Sequence, residues 1–193
     1  MLEEINKIDV AITLWLDRHH TPLADFIFYW TSDKWVWIPF YAYLLVLLYK
    51  TVGNKLKWVL LTVAIMIAAT DQFTSSFLKE TVMRLRPCHD PIVGPQLHLV
   101  NGECGGSYGF VSSHAANTFA ISYFLNRLLG SKYPKLAMAL PFWAAFVSFS
   151  RIYLGVHYFT DVLCGALCGL LIAILANHFY RKLIQRLTLN LPK

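Results

Sequence analysis

The run FTDVLCGALCGLLIAILANHFY, residues 159–180, carries one charged side chain, Asp161, at its start. A helix needs roughly 17–25 apolar residues, at about 1.5 Å each, to cross a bilayer. The stretch therefore predicts a membrane-spanning helix. Directly before it, SRIYLGVHYFTD (150–161) places Arg151, His157 and Asp161 at the mouth of that helix. An ionisable side chain beside hydrocarbon is expensive and marks a functional position.

Working outward, further apolar blocks occur at 35–49, 56–78, 113–129 and 135–150. So many in 193 residues, 56% of them hydrophobic and 15% charged, predict an all-α integral membrane bundle of about five spans rather than an ordinary soluble domain. Several blocks are short, which implies tilt or a thin membrane. Ahead of them Ile5, Ile8, Ile12, Trp15 and Leu16 recur at helical spacing among Glu4, Lys7, Asp9 and Asp17. This pattern predicts an amphipathic helix lying in the membrane interface. Thr21 and Pro22 mark a fresh helix start, and whether 22–31 is separate or joins the first span is open. The expected layout is 1–34 interfacial, 35–181 membrane core and 182–193 cytoplasmic tail. The acidic start, MLEEINKIDV, does not read as a secretory signal.

The loops fix an expected orientation. Lys50, Lys55 and Lys57, then Arg127, Lys132 and Lys135, then Arg181, Lys182, Arg186 and Lys193 fall on one side of a five-span chain. Positive loops stay cytoplasmic, which puts the N-terminus outside and the C-terminus inside. The polar clusters at 79–87, 112–119, 150–151 and 157–161 then share the outer level. Lys79, Arg86 and Arg151 are permanent cations near hydrocarbon and call for an anionic partner. Arginine suits phosphate bidentately. Ser112, Ser113 and His114 open a helix whose free N–H groups form a seat for an oxyanion. His157 and Asp161 are four apart on one helix face, so the carboxylate can orient the imidazole for attack. His114 supplies a second imidazole for protonating a leaving oxygen.

Three motifs carry a family resemblance. Lys79–Pro87 matches K-x6-R-P, Ser150–Asp161 matches S-R-x5-H-x3-D, and Ser112 with His114 matches the serine and histidine of P-S-G-H. Val111 stands in place of the proline and Ser113 in place of the glycine. The chain resembles the type 2 phosphatidic acid phosphatase (PAP2) family, whose site is shared with vanadium haloperoxidases. The resemblance implies metal-independent, cofactor-free hydrolysis of a lipid phosphate or diphosphate. His157 would be the nucleophile that becomes phosphohistidine, Asp161 its orienting group and His114 the general acid. Lys79, Arg86, Ser112, Ser113 and Arg151 would hold the phosphoryl oxygens. The size and layout suit the undecaprenyl-diphosphate phosphatase type, with phospholipid and lipid A phosphates as other expected substrates. The implied setting is a bacterial inner membrane, the site facing the periplasm, with the bilayer and its lipid phosphate as partners and no nucleic acid. The rivals are a vanadate-dependent haloperoxidase and a non-catalytic lipid-phosphate binder or transporter. The lipid tail, the number of phosphates removed and the oligomeric state are not given by the sequence.

The remaining polar residues have plainer expectations. Arg84 and Glu80 read as a surface pair, and Asp71 as a structural acid inside the bundle. His19, His20, His89, His98 and His178 lack paired metal-ligand spacing and read as solvated or interfacial. Cys88 and Cys104 share the outer loop, where an oxidised pair is expected, with two free thiols as the alternative. Cys164 and Cys168 lie beside Gly165 and Gly169 on a small-residue face suited to helix packing. Trp30, Trp35 and Trp37 mark an interface belt.

Overall fold

The computed structural model describes residues 2–189, so positions 190–193 of the expected tail, Lys193 included, lie outside the described residues. The chain begins with α1 (Leu2–Asp17) and α2 (Pro22–Ser32). These are separate helices, because Thr21 has extended backbone and its hydroxyl caps α2 by accepting from the Ala24 N–H at 3.2 Å. A 3-10 turn, Lys34–Trp37, is started by the Asp33 side chain and leads into α3 (Ile38–Val52). The helix thus begins later than the apolar run, with Pro39 in its first turn, where a missing N–H does no harm. Gly53, at φ +53°, ends it.

The next helix is α4 (Leu56–Asp71), followed without a break by a π-helical segment, Gln72–Leu78, and by α5 (Lys79–Val82). A long outer loop leads to α6 (Ser113–Leu129), then α7 (Pro134–Tyr153) and α8 (Phe159–Leu189). Among the described residues there is no strand, only a bridge between Leu85 and Tyr108. Three helical stretches, Lys34–Val82, Pro134–Tyr153 and Phe159–Leu189, are long and apolar enough to cross a membrane. The fold is the expected all-α membrane bundle.

Burial follows the logic of a protein in lipid. Leu163, Leu167, Leu171 and Leu175 on α8 are exposed, whereas Gly165, Ala166, Gly169 and Ala173 face inward. Small residues let helices approach closely where hydrocarbon already solvates the large ones. A methyl added at Gly169 would lie 2.0 Å from the Ala116 carbonyl oxygen, and one at Gly165 would lie 2.4 Å from that of Ser112. The small face of α8 therefore lies directly on α6, the central helix, which also packs against α7 and α4. The core below the site is apolar, with Phe124, Leu129, Leu140, Val59 and Met66 buried.

The outer end is tied by polar contacts. His20 is not solvated: its Nδ1 lies 2.6 Å from Asp25, its Nε2 lies 3.2 Å from the Tyr153 carbonyl, and Tyr153 donates to Asp25 at 2.7 Å. This network pins the start of α2 to the end of α7. Trp37 is likewise partly buried against Trp143, while Trp30 and Trp35 are exposed as expected for a belt.

Candidate active site

Four chain segments deliver the expected residues to one place. The π-helical segment before Lys79 shifts the helical register, a distortion common at functional sites. It turns Thr74 and Ser75 toward α6, where the Ser113 hydroxyl lies 3.0 Å from Thr74 and 2.8 Å from Ser75. Lys79 Nζ donates to the same Ser113 oxygen at 3.2 Å. Ser113 has helical backbone, so the residue that stands in place of a glycine fits without strain and gains a hydroxyl that fixes the lysine. Ser112 is fully buried and its hydroxyl caps α6, accepting from the Ala115 N–H at 3.4 Å. Its own N–H donates to the Asp161 carbonyl at 2.9 Å, which joins the start of α6 to the start of α8.

Arg86 leaves the loop and is held by two backbone carbonyls, Gly106 at 2.6 Å and Val156 at 2.9 Å. Its Nη1 lies 3.0 Å from Nε2 of His157. A guanidinium only donates, so Nε2 accepts, and the neutral imidazole carries its proton on Nδ1. That Nδ1 faces Asp161 Oδ2 at 3.6 Å, beyond hydrogen-bond reach. Catalytic hydrogen bonds are often long without substrate. His157 is 1% exposed. Burial first, then the fields of Arg86, Arg151 and Lys79, hold its imidazole well below the usual histidine range and keep it neutral.

Arg151 is braced by the Ser32 hydroxyl at the end of α2, and its Nε is buried without a partner among the described residues. His114 stands where two cavities meet. One, of about 680 Å³, is apolar and runs between α3, α4 and α6, lined by Tyr41, Leu44, Leu48 and Ile67. Leu45 and Leu60 on its walls are exposed. The other, of about 480 Å³, is more polar and lined by Tyr29, Asp33, Lys34, Glu103 and Arg151. Asp71, the acid inside the bundle, accepts from Asn117 Nδ2 at 2.7 Å on the wall of the apolar cavity. In the outer loop Cys88 and Cys104 are bonded, with Cα atoms 6.0 Å apart.

The pairing of Arg84 with Glu80 is overturned. Arg84 turns inward instead, donating to Asp161 Oδ1 at 2.9 Å, Thr160 at 2.8 Å, Asp9 at 2.7 Å and Asn6 at 2.9 Å. The left-handed backbone of Met83 ends α5 just before it, so helical spacing from Glu80 no longer predicts its direction. Asp9, Ser32, Thr74 and Ser75 are the other site neighbours that motif reasoning passed over. They lie in segments with no motif, and only their polarity within apolar surroundings sets them apart.

A helical membrane bundle with a cationic cup, two imidazoles and a buried carboxylate has the parts that a phosphatase of membrane lipids needs. The PAP2 superfamily matches residues 58–185, and the chain belongs to it. It is 34% identical to a lipid A 4'-phosphatase of Bacteroides thetaiotaomicron over 194 aligned residues, covering all of this chain and 85% of the relative. A lipid A 4'-phosphatase of Porphyromonas gingivalis is 33% identical, covering 94% of this chain and 75% of the relative. The crystal structure of a PAP2-type phosphatidylglycerolphosphate phosphatase from Bacillus subtilis shares the fold, with a TM-score of 0.69 at 24% identity over 93% of this chain and 87% of that one. The family resemblance read from the three motifs is thereby borne out, and the chain is a membrane lipid phosphatase of the PAP2 type.

Proposed function

We propose that the chain removes a phosphate from a lipid with a saccharide-sized head group, at the outer leaflet of a bacterial inner membrane. The meeting of an apolar and a polar cavity at His114 carries this reading. A phosphoester placed there would have its acyl chains among Leu44, Leu48 and Ile67 and its head beside Asp33, Lys34 and Glu103. A glycerol-sized head would leave most of the polar cavity unused. Both relatives named above as lipid A 4'-phosphatases support the same substrate class, ahead of undecaprenyl diphosphate. Five spans, an outer N-terminus and a cytoplasmic C-terminus complete the proposed layout.

The chemistry proceeds in two transfers. Lys79, Arg86, Arg151 and the N-terminus of α6 hold the phosphoryl oxygens and stabilise the charge that spreads over them. As the phosphate anion draws Arg86 off Nε2 of His157 and favours a protonated His114, the freed Nε2 attacks phosphorus, the bond to the ester oxygen breaks, and His114 gives that oxygen its proton. Asp161 stabilises the positive charge on the ring through the Nδ1 proton. His114 then takes a proton from water, which attacks the phosphohistidine and releases inorganic phosphate. The cup is lined by cationic donors, which repel rather than ligate a metal ion.

Phosphate release from detergent-solubilised protein, measured over lipid A, phosphatidate, phosphatidylglycerophosphate and undecaprenyl diphosphate, tests the proposal. Lipid A should turn over fastest, in the presence of chelator, and vanadate should inhibit competitively. Faster turnover of the small-headed lipids would overturn the head-group assignment. Undiminished turnover by His157→Ala would overturn the nucleophile.

A further inference from the structure

Asp9 belongs to α1, the helix whose amphipathic pattern predicts a place at the membrane surface, yet it is fully buried. Its Oδ1 accepts from the Thr160 N–H at 3.0 Å, and its Oδ2 accepts from the Thr160 hydroxyl and from Arg84 Nη2. Arg84 spans the gap to the site. Its Nη1 donates to Asp161 Oδ1 at 2.9 Å, and its guanidinium carbon lies 4.3 Å over the Tyr158 ring. Asp161, also fully buried, has divided duties. Oδ1 takes the arginine, while Oδ2 accepts the Tyr158 N–H at 3.0 Å and faces His157 Nδ1. Two buried carboxylates thus share one guanidinium.

We propose that Asp9 and Arg84 are positioning residues for phosphoryl transfer. Asp9, reaching in from α1, clamps Arg84 and Thr160, and Arg84 holds the Asp161 carboxylate in the rotation that aims Oδ2 at His157. The proposal rests on the reading of His157 as nucleophile and Asp161 as its orienting group.

The physical reason is the shape of the guanidinium. Its fork bonds two carboxylates at once in fixed directions, which a lysine cannot do. Without it, Asp161 Oδ1 loses a charged partner in a buried setting, and the carboxylate turns toward whatever donor remains. The neighbouring cations Arg86, Arg151 and Lys79 belong to the phosphate seat. A carboxylate drawn toward them would neutralise charge needed for the substrate. Helix α1 is therefore part of the catalytic scaffold.

The test is steady-state kinetics on purified full-length protein with lipid A, comparing Asp9→Asn, Arg84→Lys, Asp161→Asn and the double variants with Asp161→Asn. Misplacement of a reacting group by about 1 Å lowers rates on the order of 10²-fold. Asp9→Asn and Arg84→Lys should each lower kcat on that scale, with KM within about threefold, because substrate binding does not use them. Each double variant should be no slower than Asp161→Asn alone, since residues acting through one another are not additive. Lys7→Ala, on the exposed side of α1, should match the wild type. If Asp9→Asn does not fold, Arg84→Lys carries the test, and failure of both to fold would overturn the proposal in favour of a scaffolding role. Wild-type kcat in both single variants, a rise in KM alone, or additive losses with Asp161→Asn would overturn it too. His157→Ala separates the layers: if that variant is dead while Asp9→Asn and Arg84→Lys keep full kcat, only the positioning claim falls.

Discussion

The Ser113 hydroxyl lies 3.2 Å from Lys79 Nζ, so the residue that stands in place of a family glycine tethers a cation of the phosphate seat. Hydrogen bonds to charged groups contribute about 1.5–3 kcal/mol. An ammonium has three donors, so Lys79 can keep this bond while another N–H takes a phosphate oxygen. Ser113→Ala should therefore raise KM by roughly fivefold, with a smaller change in kcat, because the lysine must be ordered by the substrate itself. Initial rates over a range of lipid concentrations check this, and an unchanged KM would show that the tether does not shape the seat.

The buried, neutral His157 predicts how stability depends on pH. Its folded-state pKa is depressed, whereas in the unfolded chain it titrates near the ordinary value of about 6.5. The unfolded state then binds more protons below about pH 6.5, so the contribution to stability is complete above that pH. It is lost progressively as pH falls toward the folded-state pKa. Thermal unfolding in detergent should show a midpoint that declines below about pH 6.5, and His157→Gln should decline less over the same window. Parallel curves would mean that His157 does not set the acid sensitivity.

Much of the site was legible in the sequence because its motifs sit at helix ends. Lys79, Arg86, His114, Arg151, His157 and Asp161 are far apart in the chain, and charge-derived topology placed them at one level. The limits of α6, 113–129, also agreed, because Ser112 caps one end and Gly130 follows the other. Asp9 and Arg84 were not legible. Amphipathic periodicity in α1 placed Asp9 among the polar residues of an interfacial helix without assigning it a partner. In the structure Ile8 and Trp15 are exposed, while Asp9 and Thr13 are buried and Ile12 and Leu16 pack against Ala115, Ile152 and Val162. The core-facing side of α1 mixes Ile12 and Leu16 with Asp9 and Thr13, so hydrophobic pattern alone does not say which polar residues are buried.

Close contact of α8 with α6 predicts separable effects at two glycines. A methyl at Gly169 meets the Ala116 carbonyl, in the body of the bundle, and a methyl at Gly165 meets the backbone of Ser112, beside the site. Overpacking of this kind destabilises by about 1–3 kcal/mol. Both Gly165→Ala and Gly169→Ala should lower the unfolding temperature. Gly165→Ala should lose more activity at temperatures where both remain folded, because it pushes the start of α6 away from Asp161. Equal specific activities would indicate that the strain relaxes through α8 instead.

The bond between Cys88 and Cys104 closes a loop that contains part of the polar cavity wall. Cys104 and Gly105 line that cavity beside Glu103, and the Gly106 carbonyl from the same stretch holds Arg86. Cross-linking across a sequence separation of 16 restricts the unfolded chain, and a loop of this size is worth about 3 kcal/mol in the chain-entropy account. Cys88→Ser with Cys104→Ser should therefore lower the unfolding temperature. It should also weaken lipid A turnover more than turnover of phosphatidate, since the larger head relies on the loop. Reductant should reproduce both effects in the wild type and leave the double variant unaffected. A uniform loss across both lipids would assign the bridge to holding Arg86 alone, and no loss with either would leave it only a stabilising role.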